Sequence, residues 1–373
     1  MIWNYMQPVT IHFGNGRIRE LGGEIEKLGG SRGILITSAS FVKRGMVDKI
    51  SRDSGGRIAA VYSSVSPNPD VTECQACVDM IRENKCDFVV AVGGGSVLDC
   101  AKAAAVMCTA DHPVRAYMQD AGLMPDTCIP LIAVPTTAGT GSEITCVSVL
   151  SDHALGVKKP LVSDAFYPAL ALVDPELTHS VPRHITACTG MDVFCHAIEA
   201  YWSRNHQPVC DALAVHALRL VLENLRIACD EPDNALAREK MAEASVVAGL
   251  AFNMPKTNCS HGCSYPLTNL LGIPHGEACA LTIDHFMRIN AAQDSDGRLK
   301  QLAQMLGFEN TFRFADAVTE LKATIGVMLD LKQFALDDAR LEALVQASKH
   351  PNLRNNPVEI TEEMLREMYQ KLR

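Results

Sequence analysis

The stretch Phe88-Val-Val-Ala-Val-Gly93-Gly-Gly-Ser-Val-Leu-Asp99 decides the fold of the N-terminal half, because it runs from a buried-strand pattern through three glycines into a helical pattern. Glycines let the backbone approach a ligand closely, and the N–H groups at a helix start suit a phosphate. A tight turn alone does not require the entropic cost of three glycines. The phosphate-binding turn that we predict includes Gly94, Gly95, Ser96 and Asp99. Ser96 and Asp99 also have capping-box spacing.

Outward from this turn, short apolar runs alternate with helical patterns up to about residue 180. The predicted strands are 33–37, 58–62, 88–92, 131–134 and 170–173. The helical patterns between them include 71–84 and 97–108. Such alternation predicts an α/β domain with a parallel sheet, whose ligands bind beyond the carboxyl ends of the strands.

Beyond Pro182 helical patterns dominate, and few strand-like runs separate them. The predicted helices are 184–202, 211–229, 234–252, 298–306, 312–325 and 361–372. We therefore predict two domains, an α/β dinucleotide-binding domain over 1–180 and an all-helical domain over 181–373. We expect the active site in the cleft between them.

Composition excludes several classes of protein. The 373 residues carry a net charge of −9, which disfavours a nucleic-acid partner, because phosphate binding uses clustered Lys and Arg. Hydrophobic residues make up 47%, but no apolar run is long enough for a bilayer, so we expect no membrane partner. The opening residues show no secretory signal pattern. The 14 scattered cysteines resemble buried hydrophobes rather than a disulfide framework, and we expect a cytoplasmic protein.

A second polar turn and a strand end bear on the choice of ligand. The turn Val134-Pro-Thr-Thr-Ala-Gly-Thr-Gly-Ser-Glu143 offers hydroxyls and glycines for ribose or nicotinamide, so the two turns together indicate a dinucleotide. Ser38 follows the strand 33–37, where an acidic residue would favour NAD. Because Ser38 is neutral and Lys43 and Arg44 lie close behind it, the sequence favours NADP or no strong preference.

Three histidines and one carboxylate have the chemistry of a metal site. Asp192 and His196 are four residues apart in a helical pattern, which places them on one face. His261 and His275 are each followed by glycine, and His275 also follows a proline, which restricts the backbone. This set suits Fe²⁺ or Zn²⁺. The run Cys-Ser-His-Gly-Cys at 259–263 lacks the second pair that a structural zinc site needs.

These motifs, in order and spacing, resemble the iron-containing (group III) alcohol dehydrogenase family over essentially the whole chain. The matching stretches are GGGSVLDCAK (93–102), PTTAGTGSE (135–143), LVDPELT (172–178), GMDVFCHAIEAY (190–201) and HGCSYPLTNLLGIPHG (261–276). The resemblance implies the dehydroquinate synthase-like fold, with a metal beside the nicotinamide, and a homodimer or larger homo-oligomer.

The resemblance also implies roles for individual residues. The metal ligands would be Asp192, His196, His261 and His275. The cofactor contacts would be Ser38, Gly95, Ser96, Thr136, Thr137, Thr140, Lys158 and Leu177. Many members of the family have a proton-relaying histidine four residues after the third ligand, where this chain has Tyr265. Either Tyr265 takes over the relay, or protons leave through ribose hydroxyls and water.

We therefore expect hydride transfer between NAD or NADP and a small primary alcohol or aldehyde. The metal, Fe²⁺ or alternatively Zn²⁺, would polarise the substrate oxygen. The stretches 264–268 and 354–357 also resemble the branch that contains phosphonoacetaldehyde reductases, which makes that substrate the alternative. A glycerol dehydrogenase or a dehydroquinate synthase-like lyase is a further possibility within the superfamily. A non-catalytic nucleotide sensor is the alternative of another class.

Overall fold

The computed structural model describes residues 2–373. Within them the chain forms two compact units, and a short segment of one unit, Ala138–Thr140, interrupts the sequence of the other. One unit comprises Gln7–Thr137 and Gly141–Thr178. The other comprises His179–Arg373 together with Ala138–Thr140 and the N-terminal residues through Met6. The predicted domains, 1–180 and 181–373, are each continuous. In the structure, the loop 138–140 and the N-terminal residues through Met6 instead group with His179–Arg373.

The first unit is built on a parallel sheet with a separate hairpin. The strands in the described chain are β1 (Thr10–Phe13), β2 (Gly33–Ile36), β3 (Ile58–Tyr62), β4 (Phe88–Gly93), β5 (Leu131–Pro135), β6 (Val147–Asp152), β7 (Val157–Val162) and β8 (Leu170–Val173). The parallel sheet has the order β1-β8-β5-β4-β2-β3, and β6 pairs antiparallel with β7. The predicted parallel α/β architecture is confirmed.

Helices cover both faces of this sheet. They are α1 (Leu21–Lys27), α2 (Ala39–Lys43), α3 (Met46–Asp53), α4 (Val71–Glu83), α5 (Gly95–Met107) and α6 (Val114–Gln119). Successive strand residues point to opposite faces, so Val89 and Ala91 enter one apolar cluster while Val90 and Val92 enter another. A strand buried on both faces explains the uninterrupted apolar run of β4.

The second unit is helical, as predicted. Its helices are α7 (Arg183–Trp202), α8 (Pro208–Asp230), α9 (Ala235–Phe252), α10 (Cys259–Leu271), α11 (His275–Ala291), α12 (Arg298–Met305), α13 (Thr311–Ile325), α14 (Asp338–Ala347) and α15 (Glu362–Leu372). From Thr186 to Trp202, α7 is buried at almost every position and forms the centre of one continuous apolar core. None of the helices in residues 2–373 has the length and apolar character needed to cross a membrane.

Two departures from the sequence-based elements are informative. The strands β1, β6 and β7 were not predicted, since Thr10 and His12 interrupt the apolar pattern of β1 and β7 contains two lysines and Pro160. The helices α10 and α11 were not predicted either, because Pro266 lies inside α10 and Gly276 is the second residue of α11. These two helices carry the last two of the predicted metal ligands.

Candidate metal centre and cofactor turn

A group of metal-binding side chains, all buried except the partly exposed His275, lies where α7, α10 and α11 pack together. Asp192, His261, His275 and Cys279 each offer one donor atom, and these four atoms all lie within 4.8 Å of one another. The Nε2 atoms of His261 and His275 lie 3.5 Å and 3.8 Å from Oδ1 of Asp192. The carboxylate therefore faces both imidazoles at distances longer than a hydrogen bond.

The hydrogen bonding of these side chains fits a cation. Within the described residues, the buried side-chain atoms that lack a hydrogen-bond partner include Oδ1 of Asp192, Nδ1 of His196 and Nε2 of His261. An unpaired buried polar atom is costly unless a ligand satisfies it. Nitrogen and carboxylate oxygen donors suit Zn²⁺ and Fe²⁺. The residues present therefore fit a divalent metal ion.

Glu199, on α7, sets the orientation of His261. Its carboxylate is fully buried and accepts a hydrogen bond from Nδ1 of His261 at 2.7 Å. It also accepts from the backbone N–H groups of Asn258 and Ser260, both at 2.6 Å. This arrangement leaves Nε2 of His261 for the metal and is the usual carboxylate–histidine–metal relation. The sequence motif contains Glu199, but only its position seven residues after Asp192 on a buried helix face signalled a role.

The local charges also favour a cation. Burial opposes ionisation of Asp192, but the surrounding imidazoles hold the pKa of its carboxyl well below the usual range. Burial lowers the pKa of His196 to about 4, so its ring is neutral and keeps a free lone pair. Burial also opposes protonation of His261, yet Cys279 and Glu199 raise its pKa well above the ordinary value. Negative charge therefore dominates around His261.

His196 lies beside the group, although its ring nitrogens do not join the four converging donors. Its ring stacks on His261 and on Phe252, with centroid separations of 4.4 Å and 4.1 Å. Its role as a ligand stays a prediction. Cys279 is a donor that sequence reasoning missed, and its position four residues after His275 on α11 was the available signal. Cys259 and Cys263 are buried and lie outside the group.

Tyr265 is close to both the metal-binding group and a histidine from the C-terminal segment. Its ring centroid lies 6.4 Å from that of His275 and 4.8 Å from that of His350. Burial raises the pKa of Tyr265, so the phenol stays protonated. Gly262 allows this approach, because a Cβ there would lie 2.6 Å from Leu353 and 3.4 Å from His350. His350 was not predicted from the sequence.

The glycine turn of the first unit has the geometry of a close backbone approach. Gly93 ends β4, Gly94 is the N-cap of α5 and Gly95 begins that helix, with no side-chain cap. A Cβ on Gly93 would lie 2.5 Å from Val97, and one on Gly94 would lie 3.2 Å from the hydroxyl of Thr137. The capping box predicted from Ser96 and Asp99 is absent from this part of the described chain, because Gly94 is the N-cap.

Two of the predicted cofactor residues meet near this turn. The hydroxyl of Ser96 accepts a hydrogen bond from the backbone N–H of Asn68, at 3.2 Å. The ammonium of Lys158, on β7, donates to Oδ1 of Asn68 at 2.8 Å. Asn68 has a left-handed backbone, with φ at 56°. It thus links Lys158 to the start of α5, and it was missed because a lone asparagine in a loop carries no motif.

The carboxylate of Asp99 has partners of its own within the unit. It accepts hydrogen bonds from the Ser142 hydroxyl at 2.6 Å and the Val149 N–H at 3.0 Å, and Lys102 lies 3.7 Å away. These contacts attach α5 to the loop before the hairpin and to β6. As a cofactor contact, Asp99 stays a prediction.

The remaining predicted cofactor residues lie at strand ends and on loops. Ser38 is half-buried at the N-cap of α2, and its hydroxyl lies 2.9 Å from that of Ser40. Leu177 is buried in the short 3₁₀ helix Pro175–Thr178. The three threonines of the second polar turn follow β5 and divide between the two units; they are Thr136 and Thr137 in the first unit and Thr140 in the second.

The chain combines a parallel α/β unit that carries a glycine turn with a helical unit that holds a group of metal-binding side chains. The family model described as iron-containing alcohol dehydrogenase matches residues 8–175. The C-terminal model of the Fe-containing alcohol dehydrogenase family matches residues 186–373. The chain belongs to the iron-containing alcohol dehydrogenase family and is an oxidoreductase of that type.

Relatives span nearly the whole chain. It is 35% identical to a long-chain-alcohol dehydrogenase 1 of Geobacillus thermodenitrificans, over 97% of this chain and 95% of the relative. It is 36% identical to a sulfoacetaldehyde reductase of Bilophila wadsworthia, over 74% and 71% of the two chains. Among solved structures, a sulfoacetaldehyde reductase from Bifidobacterium kashiwanohense in complex with NAD⁺ is 53% identical, with a TM-score of 0.97 over 100% of this chain and 99% of that one.

Proposed function

We propose that this protein reduces a short aldehyde with a tetrahedral anionic head group, a sulfonate or a phosphonate, to the corresponding alcohol. The observation that carries the proposal is the full-length similarity to a sulfoacetaldehyde reductase, at 53% identity. The buried donor group on α7, α10 and α11 supports the requirement for a metal. Phosphonate belongs to the proposal because the stretches 264–268 and 354–357 resemble the phosphonoacetaldehyde reductase branch.

Residues of the helical unit would hold the metal ion and orient its ligands. Asp192, His196, His261 and His275 would hold the ion, with Cys279 beside them. When bound, the ion polarises the substrate oxygen and the nicotinamide supplies a hydride. Glu199 keeps His261 in the tautomer that presents Nε2. Burial of the group excludes water, which strengthens the electrostatic contribution.

Tyr265 would donate the proton that the reaction requires, and His350 would replace it. Reduction of an aldehyde requires one proton at the oxygen that becomes the hydroxyl. A neutral phenol is a donor at that oxygen, and the imidazole of His350, whose centroid is 4.8 Å away, can return a proton to it. This pair takes the place of the relay histidine that many family members have at the position of Tyr265.

The dinucleotide would bind at the glycine turn of the first unit. Its pyrophosphate would meet the N–H groups at the start of α5, near Ser96 and Lys158. The similar sulfoacetaldehyde reductase was solved with NAD⁺, whereas Ser38 places no negative charge against a 2′-phosphate. We propose that both NADH and NADPH are accepted, and that Ser38→Asp lowers turnover with NADPH at least tenfold while turnover with NADH persists.

An aldehyde panel tests the proposed substrate. The metal-reconstituted protein is assayed with NADH and with NADPH against sulfoacetaldehyde, phosphonoacetaldehyde and propionaldehyde, following absorbance of the reduced nicotinamide. We expect kcat/KM for at least one anionic aldehyde to exceed that for propionaldehyde by tenfold or more. A higher kcat/KM for propionaldehyde would contradict the anionic substrate.

The long-chain-alcohol dehydrogenase relative favours a second candidate, a dehydrogenase of uncharged primary alcohols. It predicts that propionaldehyde and longer aldehydes are the better substrates in the same panel. A nucleotide sensor would bind both dinucleotides, measured by fluorescence, and turn over none of the aldehydes. The panel therefore separates all three.

A further inference from the structure

A second set of metal-binding side chains lies on α7 and α11, outside the group described above. His184, Cys188 and Glu277 each offer one donor atom, and the three atoms lie within 4.8 Å of one another. His184 and Cys188 are four residues apart in the first two turns of α7, so they share a face. Glu277 is the third residue of α11. None of the three has a role in the proposed hydride transfer.

Two of the three separations between these donors match those around a tetrahedral zinc ion, and the third is within 4.8 Å. Sγ of Cys188 lies 3.6 Å from Nε2 of His184, and that nitrogen lies 3.4 Å from a carboxylate oxygen of Glu277. Zinc bonds of about 2.0–2.1 Å to nitrogen or oxygen and about 2.3 Å to sulfur place tetrahedral ligands about 3.3–3.6 Å apart. Both measured separations fall in that range, so little side-chain movement is needed.

The backbone around the three residues is held in place. A Cβ on Gly276 would lie 2.2 Å from the carbonyl oxygen of Cys188, so only glycine lets α11 approach α7 this closely. One oxygen of Glu277 accepts a hydrogen bond from the N–H of Met328 at 2.8 Å, which orients the carboxylate toward His184. Such outer contacts are what hold ligands ready for a metal.

The set also has an open side. Cys188 and Glu277 are buried, whereas the His184 side chain is 52% exposed. An ion can therefore enter from solvent and keep a water as a fourth ligand. We propose that His184, Cys188 and Glu277 form a second metal site, which binds Zn²⁺ and links the first turns of α7 to the start of α11.

The chemistry of the set favours zinc over an enzymatic use of the cysteine. A mixed nitrogen, sulfur and oxygen set suits Zn²⁺ better than Mg²⁺ or Ca²⁺, which prefer oxygen. Burial raises the pKa of Cys188 to about 12, which is the opposite of the change that activates a nucleophilic thiol. On binding zinc, Cys188 loses its proton to solvent and coordinates as the thiolate.

The test uses two different metals, so that the two sites report separately. The full-length protein is loaded anaerobically with Fe²⁺ and then equilibrated with a series of buffered Zn²⁺ concentrations. Iron and zinc per chain are measured by mass spectrometry, and the ligands of the zinc by X-ray absorption. We expect one zinc per chain to bind without loss of iron, with one sulfur among its ligands, and to raise Tm.

Substitutions of the proposed ligands test whether these residues bind the zinc. Cys188→Ser and Glu277→Gln keep the size of each side chain, and each should lower zinc affinity at least tenfold while iron content stays unchanged. The control is His216→Gln on α8, because His216 and Glu243 form an exposed pair at 3.1 Å without a cysteine. The control should bind zinc as the wild type does.

Several results would overturn the second site. They are zinc that binds only by displacing iron, zinc without a sulfur ligand, and unchanged zinc affinity in Cys188→Ser. The X-ray absorption result on the wild type decides the matter even where a variant fails to fold. Because zinc binding is measured independently of turnover, it does not depend on whether the aldehyde panel succeeds.

Discussion

Side chains of the helical unit contribute to the group of donors in two ways: some offer lone pairs, and another orients a donor. Asp192 and the imidazoles supply lone pairs, whereas Glu199 supplies none and instead orients His261 and the start of α10. Its carboxylate is entirely enclosed and accepts three hydrogen bonds. The geometry of the donor group therefore depends on a residue that is not itself one of the four donors.

Glu199→Gln should weaken metal binding, because glutamine removes the charge that keeps the proton on Nδ1 of His261. We expect metal affinity to fall about 10- to 100-fold. The affinity is measured by competition with a chelator of known strength. Glu243→Gln, at an exposed pair in the same unit, is the matched control and should leave affinity unchanged. Equal affinities of wild type and Glu199→Gln would contradict a positioning role.

Tyr265→Phe should lower kcat rather than raise KM, because it removes only the phenolic hydroxyl that would donate the proton. A loss of about 100-fold in kcat is expected for a missing acid. The measurement is steady-state reduction of the preferred aldehyde, with metal content checked in parallel. Tyr62→Phe on β3 is the control and should leave kcat unchanged. An unaltered kcat in Tyr265→Phe would assign the proton transfer to ribose hydroxyls and water.

Glu143 makes the stability of the first unit depend on pH. The side chain is buried, and burial raises its pKa to about 7 although Lys102 opposes the shift. The folded state thus holds the proton more tightly than the unfolded state, whose pKa is near 4.5. The stabilisation is therefore complete below pH 4.5 and is lost as pH rises through about 7.

Glu143→Gln, which cannot ionise, should therefore gain stability relative to wild type between pH 5 and pH 8. At about 1.4 kcal/mol per pKa unit, the gain is at most about 3 kcal/mol. Urea denaturation of both proteins at the two pH values measures it. Glu83→Gln, at the exposed end of α4, is the control with no such trend. A difference between wild type and Glu143→Gln that does not change with pH would refute the argument.

Among the elements, α7 and α11 determine the site by their close approach. Asp192 comes from the middle of α7, and His275 and Cys279 come from the first turns of α11. Gly276 lies at the contact, where a Cβ would be 2.2 Å from the carbonyl oxygen of Cys188 and 3.1 Å from Cβ of Asp192. The distance between the two helices therefore sets the distance between the donors.

Gly276→Ala should push α11 away from α7. We expect unfolding free energy to fall by about 1–3 kcal/mol and the metal to be retained poorly. Gly23→Ala in α1 is the control, because no heavy atom lies within 4 Å of its new Cβ. That control should be neutral or stabilising by about 0.5–1 kcal/mol. Thermal unfolding and metal analysis measure both variants, and full metal retention in Gly276→Ala would contradict the close-packing argument.

The elements that sequence predicted well are those with a long, regular pattern. The predicted helices from 184–202 to 361–372 end within three residues of the observed ones, and the predicted strands are all present. The helices α10 and α11 escaped prediction because Gly262, Pro266 and Gly276 interrupt their patterns. Gly262 and Gly276 allow close packing between elements, which no local periodicity records.

In the site too, residues with a local sequence pattern were predicted, and residues placed only by tertiary contacts were not. Four predicted ligands came from residue types and backbone punctuation, and three of them converge in the structure with Cys279. Asn68 and His350 became visible only from their tertiary contacts. Each is far in sequence from the residue that it serves, so spacing along the chain could not reveal it.

At the scale of the whole molecule, two units of different architecture carry the two predicted binding features. The parallel α/β unit presents a glycine turn suited to a pyrophosphate, and the helical unit presents a buried donor group suited to a metal. Dinucleotide binding and metal binding should therefore be separable by mutation, since the residues for each lie in different units. A homo-oligomer stays a prediction.

The most direct test measures metal and turnover in the same preparations. Wild type, Asp192→Ala and His275→Ala are reconstituted with Fe²⁺ under anaerobic conditions, with His216→Gln as the control. Iron per chain, NADH binding by fluorescence and aldehyde-dependent NADH oxidation are then determined. We predict that both ligand variants lose iron and turnover but still bind NADH, while the control keeps all three. Undiminished turnover in Asp192→Ala or His275→Ala would contradict a metal held by these residues as the centre of the reaction.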